Sequence, residues 1–336
     1  MDSMTIEPPS LEPRFQKPAG WRWHSFKNPH GEILRFGTVA PDHGIPDAIV
    51  IMLPGLSEFG EKYYELAHDM LKRNLSLWVL DWRGQGKSGR YLDNPHKRHS
   101  AGFNRDIEDL HYFLMEYVKH AAVHPNVGRI PLVMLGHSMG GNIGLRYLHR
   151  HPEMFACAAF SAPMIGIRAF GALPRWFSLA VSRMVSILAG RRYVPGGEDW
   201  RPRMSPDSRS QDVLSGDPVR NAIHDSWSAC DPALQVGNVT FGWVYEALIS
   251  CAKLQNKKLL RHIRTPCLLS LAGQDRLVDP KKIRMVARAI PGARLIELPD
   301  SHHEILMERD EIRDRFLAAF DEMLTAHEIR EKVTPF

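Results

Sequence analysis

Apolar and polar positions along the chain fall into a repeating rhythm. Ala-Ile-Val-Ile-Met-Leu at 48–53 is a continuous apolar run ending at Pro54-Gly55, the pattern of a strand buried on both faces. Similar runs recur at Leu75 to Leu80, at 129–135 between Gly128 and Gly136, at 155–160, after Pro266, and at Arg294 to Leu298. Between them, residues 61–73, 103–121, 139–150, 280–289 and 309–326 carry the three-to-four-residue spacing of helices. Upstream, 21–38 alternates about Asn28-Pro29-His30-Gly31, which predicts a hairpin. Strands that alternate with helices predict an α/β fold with a mostly parallel central sheet.

The rhythm breaks at 164–262. This stretch has no continuous β run and carries Trp176, Trp200, Trp227 and Trp243, several prolines and many arginines. It reads as an insertion over the sheet and not as a second core. Residues 1–20, with Pro8, Pro9, Pro13 and Pro18, read as a flexible N-terminal arm. The expected division is therefore an arm at 1–20, a core at 21–163, an insertion at 164–262 and a second core part at 263–336.

The chemistry gathers where the 129–135 run stops. Gly136-His137-Ser138-Met139-Gly140 is G-x-S-x-G between a predicted strand and a predicted helix, the context of a nucleophile elbow. Outside that context it would be a glycine-rich turn with a surface serine. A serine hydroxyl needs a base, and the base needs an orienting acid. Both should follow later strands at the same sheet edge, acid before base. Gly273-Gln274-Asp275 offers Asp275 as the acid; Asp279, directly before Pro280, suits a helix N-cap better. Asp300 lies too close in sequence to the histidines to compete. His302-His303 offers the base, and spacing alone does not choose between the two. Two backbone N–H groups should hold the oxyanion, one from Met139 and one from Leu56 in the loop after 48–53.

Charge and composition narrow the picture. The chain of 336 residues has a net charge of +5. Residues 164–203 alone hold Arg168, Arg175, Arg183, Arg191, Arg192, Arg201 and Arg203 against Glu198 and Asp199, a surplus equal to that of the whole chain. The same stretch carries Trp176, Phe177, Leu179, Met184, Ile187 and Leu188 on an amphipathic helix, which suits contact with an anionic lipid surface. The bland alternative packs those residues onto the core and leaves the arginines in water. Four cysteines lack metal-ligand spacing, and no leader or membrane-spanning run is visible, so a reducing cytoplasm is expected, with a peripheral position at the inner face of the membrane.

Competing motifs fail. Asp81 stands where a phosphate loop requires glycine, and Met307 stands where a zinc helix requires its second histidine. The pairs His96/His99, His120/His124 and His149/His151 read as solvated. No dinucleotide fingerprint or nucleic-acid-binding motif is present, so no metal, cofactor or nucleic-acid partner is expected.

Taken jointly, several segments resemble the monoacylglycerol lipase and lysophospholipase branch of the α/β-hydrolase superfamily, and bacterial lysophospholipases most. They are Leu53-Pro54-Gly55-Leu56-Ser57-Glu58 through Tyr63, Asp81-Trp82-Arg83-Gly84-Gln85-Gly86-Lys87-Ser88, the 136–141 elbow, Thr240-Phe241-Gly242-Trp243-Val244, Gly273-Gln274-Asp275 and His303-Glu304-Ile305-Leu306. The resemblance covers roughly residues 20–328. It implies an α/β-hydrolase fold in which 164–262 is a helical cap, a base at His303, directly before the Glu-Ile-Leu segment, and a second oxyanion donor at Leu56. The implied substrate is a single-chain lipid ester. Pro54 and Phe59 depart from the histidines frequent at those positions in the family, a difference bearing on substrate fit. The same fold also serves proline aminopeptidases, short-chain carboxylesterases and non-hydrolytic binding proteins. An aminopeptidase needs an acidic cap site for the substrate amine, which the arginine surplus opposes.

Overall fold

The structure is a computed structural model that describes residues 7–171, 173–202 and 214–329. The sheet starts as β1 (Arg22–Lys27), β2 (Ile33–Val39), β3 (Ala48–Leu53) and β4 (Leu75–Leu80), with α1 (Tyr64–Lys72) between the last two. Next come α2 (Phe103–Phe113), which runs through a π-turn into α3 (Lys119–Ala121), and a small ladder of β5 (Val123–His124) with β6 (Gly128–Arg129). β7 (Leu132–His137), α4 (Ser138–Arg150) and β8 (Cys157–Ser161) follow. Among the described residues, four α-helices lie between β8 and the next strand: α5 (Arg175–Ala189), α6 (Pro218–Cys230), α7 (Phe241–Leu254) and α8 (Lys257–Leu260). The chain closes with β9 (Cys267–Ala272), α9 (Pro280–Ala289), β10 (Arg294–Leu298) and α10 (Asp310–Ala326).

The strands lie in the order β1-β2-β4-β3-β7-β8-β9-β10. The β1/β2 and β2/β4 pairs are antiparallel, and every pair from β4 to β10 is parallel. The period-2 geometry of a strand explains the continuous apolar runs. In β3, Ile49 and Ile51 pack on one face with Met134, Ile143 and Phe160. Val50 and Met52 pack on the other with Leu77, Val133 and Phe316. Both faces are covered, so both registers must be apolar. Each fully buried aliphatic chain contributes about 1.5–3 kcal/mol.

The segment between β8 and β9 is anchored in both cores. Trp243, Ala247, Cys251 and Leu254 of α7 join the first, and Ile223 and Trp227 of α6 join the second. α5 packs along α7 but turns much of its apolar surface outward: Trp176, Met184, Ile187 and Leu188 are 63–79% exposed. Arg203 of the arginine-rich stretch lies outside the described residues, as do residues 1–6 of the arm. Further along the arm, Phe15 is buried in the second core.

The parallel strands end at one edge of the sheet, and the loops leaving β3, β7, β9 and β10 bring Leu56, Ser138, Asp275 and His303 to that edge.

Candidate active site

β7 ends at His137 and α4 begins at Ser138, with no residue between them. Ser138 has φ +47°, in the left-handed region. That conformation costs a non-glycine residue on the order of 1–3 kcal/mol, and its surroundings hold it there. A Cβ on Gly140 would stand 2.0 Å from the carbonyl oxygen of Leu53, and one on Gly136 would stand 3.1 Å from Gly141 Cα. The two glycines let the turn close against β3.

The serine meets both predicted partners. Ser138 Oγ lies 2.9 Å from His303 Nε2, and His303 Nδ1 lies 2.7 Å from Asp275 Oδ2. With its proton on Nδ1, the ring donates to Asp275 and accepts from the serine hydroxyl. Asp275 is fixed from behind, its Oδ1 accepting the N–H groups of Leu277 at 2.8 Å and Val278 at 2.9 Å. Burial penalises the Asp275 carboxylate, but the His303 charge and these hydrogen bonds outweigh it and hold the group below its ordinary range. Burial likewise penalises the His303 imidazolium, and Asp275, with smaller help from Glu304 and Glu58, raises it above the ordinary imidazole value.

The alternatives of the two loops point elsewhere. Asp279 caps α9 by accepting the N–H of Lys281 at 2.9 Å. His302 turns to Glu308, whose Oε1 accepts its backbone N–H at 2.7 Å and its Nδ1–H at 3.0 Å. Met139 stands in the first turn of α4, where the helix supplies no acceptor for its N–H. Leu56 stands in the loop after β3 and forms part of the cavity wall beside Ser138.

Behind the triad lies a buried ionic cluster that motif reasoning did not resolve. Lys62 Nζ donates to Glu58 Oε1 at 2.8 Å and lies 2.7 Å from Glu304 Oε1. Glu58 Oε2 accepts the Tyr63 hydroxyl at 2.5 Å and the backbone N–H of Gly55. His137 Nε2 is 3.8 Å from Glu58 Oε1, and its ring centroid is 5.0 Å from that of His303. Glu58, His137 and Glu304 are close enough to share a cation, and the Lys62 ammonium supplies that charge. Burial disfavours all four ionised forms; Lys62 and His137 nevertheless hold Glu58 down to about 2, Lys62 also holds Glu304 low, and the two carboxylates raise Lys62. Burial, partly offset by Glu58, lowers His137 below the ordinary imidazole range. The i,i+4 spacing of Glu58 and Lys62 and the position of Glu304 beside His303 were the only sequence signals.

Not all of the paired histidines lie on solvated faces: the Nδ1 of His96 is buried. His99 Nδ1 sits 2.8 Å from Thr240 Oγ1, and His151 stacks on His111 at 4.2 Å. Each is half-buried because a neighbouring element packs over it.

Ser138 and His303 open on a cavity of about 500 Å³. Its apolar wall includes Met164, Ile167, Val236, Val239, Trp243 and Leu277. Among the described residues, four carboxylates also line it. Glu58 and Glu304 pair with Lys62, Glu198 pairs with Arg201 at 3.3 Å, and Asp199 accepts the hydroxyl of Tyr193 and the amide of Asn94.

Comparison with known proteins gives the family. Residues 44–310 match the sequence pattern of the family described as serine aminopeptidase, S33 (Hydrolase_4). The chain belongs to that family. Among its relatives, lysophospholipase L2 of Escherichia coli K12 is 30% identical over 293 residues, 84% of this chain and 81% of that one. Monoacylglycerol lipase of Mycolicibacterium smegmatis is 25% identical over 291 residues, 86% of this chain and 92% of that one. In fold, a soluble variant of monoglyceride lipase from Saccharomyces cerevisiae superposes with a TM-score of 0.71 at 18% identity, covering 95% of this chain and all of that one. This member of the S33 family is an α/β-hydrolase in fold and a hydrolase in class.

Proposed function

We propose that the protein cleaves the carboxylic ester of a single-chain lipid, a lysophospholipid or a monoacylglycerol, through an acyl-enzyme on Ser138. The observation that carries the proposal is the 2.9 Å and 2.7 Å chain from Ser138 through His303 to Asp275, at the mouth of an apolar cavity. Ser138 Oγ attacks the ester carbonyl while His303 Nε2 takes its proton. The developing oxyanion is held by the N–H groups of Leu56 and Met139. His303 then returns the proton to the leaving alcohol, and Asp275 keeps the ring oriented and supports its positive charge. Water, activated by His303, attacks the acyl-enzyme and releases the fatty acid. The relatives named for lysophospholipids and monoacylglycerols support the substrate class, as does the apolar wall, which suits an acyl chain.

An aminopeptidase reading needs a carboxylate free to hold a substrate ammonium. Among the described residues, each of the four carboxylates in the wall already has a partner within the chain. A non-hydrolytic binding role leaves the serine–histidine–aspartate chain without a purpose. A fluorophosphonate probe and p-nitrophenyl esters of graded length test the proposal together. The expected outcome is a single modification at Ser138 and a burst of p-nitrophenol that grows with acyl length up to the cavity's reach. Modification at another serine, or binding with no release of p-nitrophenol, would overturn it. Preference for the shortest esters would point to a short-chain carboxylesterase.

We further infer that α5 meets anionic lipid. No helix among the described residues is long and apolar enough to cross a membrane. The exposed Trp176, Met184, Ile187 and Leu188, with Arg183, Arg191 and Arg192 on the same helix and at its end, support a peripheral contact.

A further inference from the structure

The Asp81–Ser88 motif, singled out in the sequence, has no part in the chemistry above. Its loop leaves β4 and turns back on itself. Asp81 pins the turn, its Oδ2 accepting the N–H of Lys87 at 3.0 Å and its backbone carbonyl accepting the Ser88 hydroxyl at 2.7 Å. Gly84 and Gly86 take φ +85° and +55°, and a Cβ on Gly86 would stand 2.2 Å from Asp81 Oδ2. The effect of this turn is to drive the Gln85 side chain, fully buried, against the loop that follows β3.

We propose that Gln85 is a positioning residue that holds the 54–58 loop in the one conformation that presents the Leu56 N–H to the oxyanion. This rests on the reading of Leu56 as an oxyanion donor. The Gln85 amide uses its whole hydrogen-bonding capacity. Nε2 donates to the carbonyls of Gly55 at 2.8 Å and Glu58 at 2.6 Å. Oε1 accepts the N–H of Ser57 at 3.0 Å and the Nε–H of buried Arg98 at 3.1 Å. Three residues earlier in the motif, Trp82 Nε1 donates to the Pro54 carbonyl at 2.9 Å.

From the far side, Glu58 accepts the Gly55 N–H and His224 stands 3.1 Å from the Ser57 carbonyl. The N–H groups of Gly55, Ser57 and Glu58 therefore all have acceptors, and that of Leu56 has none among the described residues. The loop also needs holding. Ser57 sits at φ +62°, a conformation a serine leaves when nothing constrains it. Arg98 ties the same clamp to the other donor. Its Nη2 lies 3.7 Å from the sulfur of Met139. One glutamine thus sets one half of the oxyanion hole and is joined through one arginine to the other.

The test is Gln85→Met in the full chain, assayed on a soluble p-nitrophenyl ester. Loss of one ordered oxyanion donor costs about 10²–10³ in kcat, and the expected loss here is about 10². KM should stay within about twofold, because the interaction is made in the transition state. The acid limb of the kcat/KM profile should keep its midpoint, because the triad is intact. A trifluoromethyl ketone, whose hemiketal oxyanion sits in the same hole, should weaken by the same factor as kcat/KM. A kcat within about threefold of the unsubstituted chain, or a loss that moves the acid limb, would overturn the proposal. If Gln85→Met does not fold, Gln85→Glu keeps the shape and an acceptor but loses at least one donation, and the kcat, KM and trifluoromethyl ketone readouts apply; the acid limb is not read there, because a new carboxylate moves it by itself. Failure of the unsubstituted chain to hydrolyse the ester or to take a fluorophosphonate on Ser138 would instead remove the active-site reading, and the clamp with it.

Discussion

Each side chain at the site is singled out by what its neighbours leave it free to do. His303 and His302 are adjacent; spacing did not separate them, and the family resemblance favoured His303. In the structure Glu308 takes the backbone N–H and ring of His302, while Asp275 takes the Nδ1 of His303. His303→Ala should therefore lose about as much activity as Ser138→Ala, and His302→Ala far less, in steady-state ester hydrolysis. The double variant Ser138→Ala/His303→Ala should be little worse than either single, since the members of one catalytic unit are not additive. Asp275→Asn should cost roughly 10³–10⁴ in kcat, as the amide favours the wrong tautomer, while Asp279→Asn should leave kcat nearly unchanged because asparagine caps helices well. The base works only when neutral. Its imidazolium is stabilised against the burial penalty chiefly by Asp275, so the acid limb of kcat/KM should have its midpoint above 6.5. Activity falls as pH drops through that midpoint. Asp275→Asn should move it downward, and an upward move would contradict the assignment.

Among the elements, the strands and helices of the sheet were legible because burial on both faces forces long apolar runs. The run ending at Gly136 and the helix from Ser138 stand where the pattern put them, give or take two or three residues. The 164–262 stretch was harder to read because its helices answer to two masters. α6 and α7 bury one face in the cores, whereas α5 keeps large apolar side chains in the open, so the pattern could not say which surface faces what. Lipid contact by α5 predicts that Arg183→Glu/Arg191→Glu/Arg192→Glu weakens co-sedimentation with anionic vesicles and slows hydrolysis of aggregated lipid, while a soluble short-chain ester is still cleaved. The wild-type contact should weaken with salt, since exposed charges are screened over about 10 Å at 0.1 M. Equal loss on both substrates would mean that the arginines hold the segment together. The Lys62 cluster was the least legible feature, since a charge in a motif looks the same whether it is solvated or buried. Lys62→Met leaves Glu58 and Glu304 facing each other without a cation. Removing one member of such a buried set should cost about 3–5 kcal/mol in denaturant unfolding; a loss under about 1 kcal/mol would show that the cluster is well solvated.

At the scale of the molecule, a single sheet edge collects everything. Parallel strands deliver their loops to one end, so residues as distant in sequence as Leu56, Ser138, Asp275 and His303 meet around one cavity. Distance in sequence hid two relations that only the fold supplies. One is the Gln85 clamp on the 54–58 loop, and the other is the pairing of every carboxylate that the described residues place in the cavity wall, which disfavours an amine substrate. The central claim, an ester hydrolase for single-chain lipids that works through Ser138, is tested most directly by one comparison. The wild type and Ser138→Ala, both shown to be folded, are given a long-chain lysophospholipid, a monoacylglycerol and a proline p-nitroanilide, and released fatty acid and nitroaniline are measured. The account predicts fatty acid from at least one lipid with the wild type, a loss of about 10⁶-fold in Ser138→Ala, and no turnover of the anilide. Fatty acid release that survives in Ser138→Ala, or turnover of the anilide with neither lipid cleaved, would contradict it.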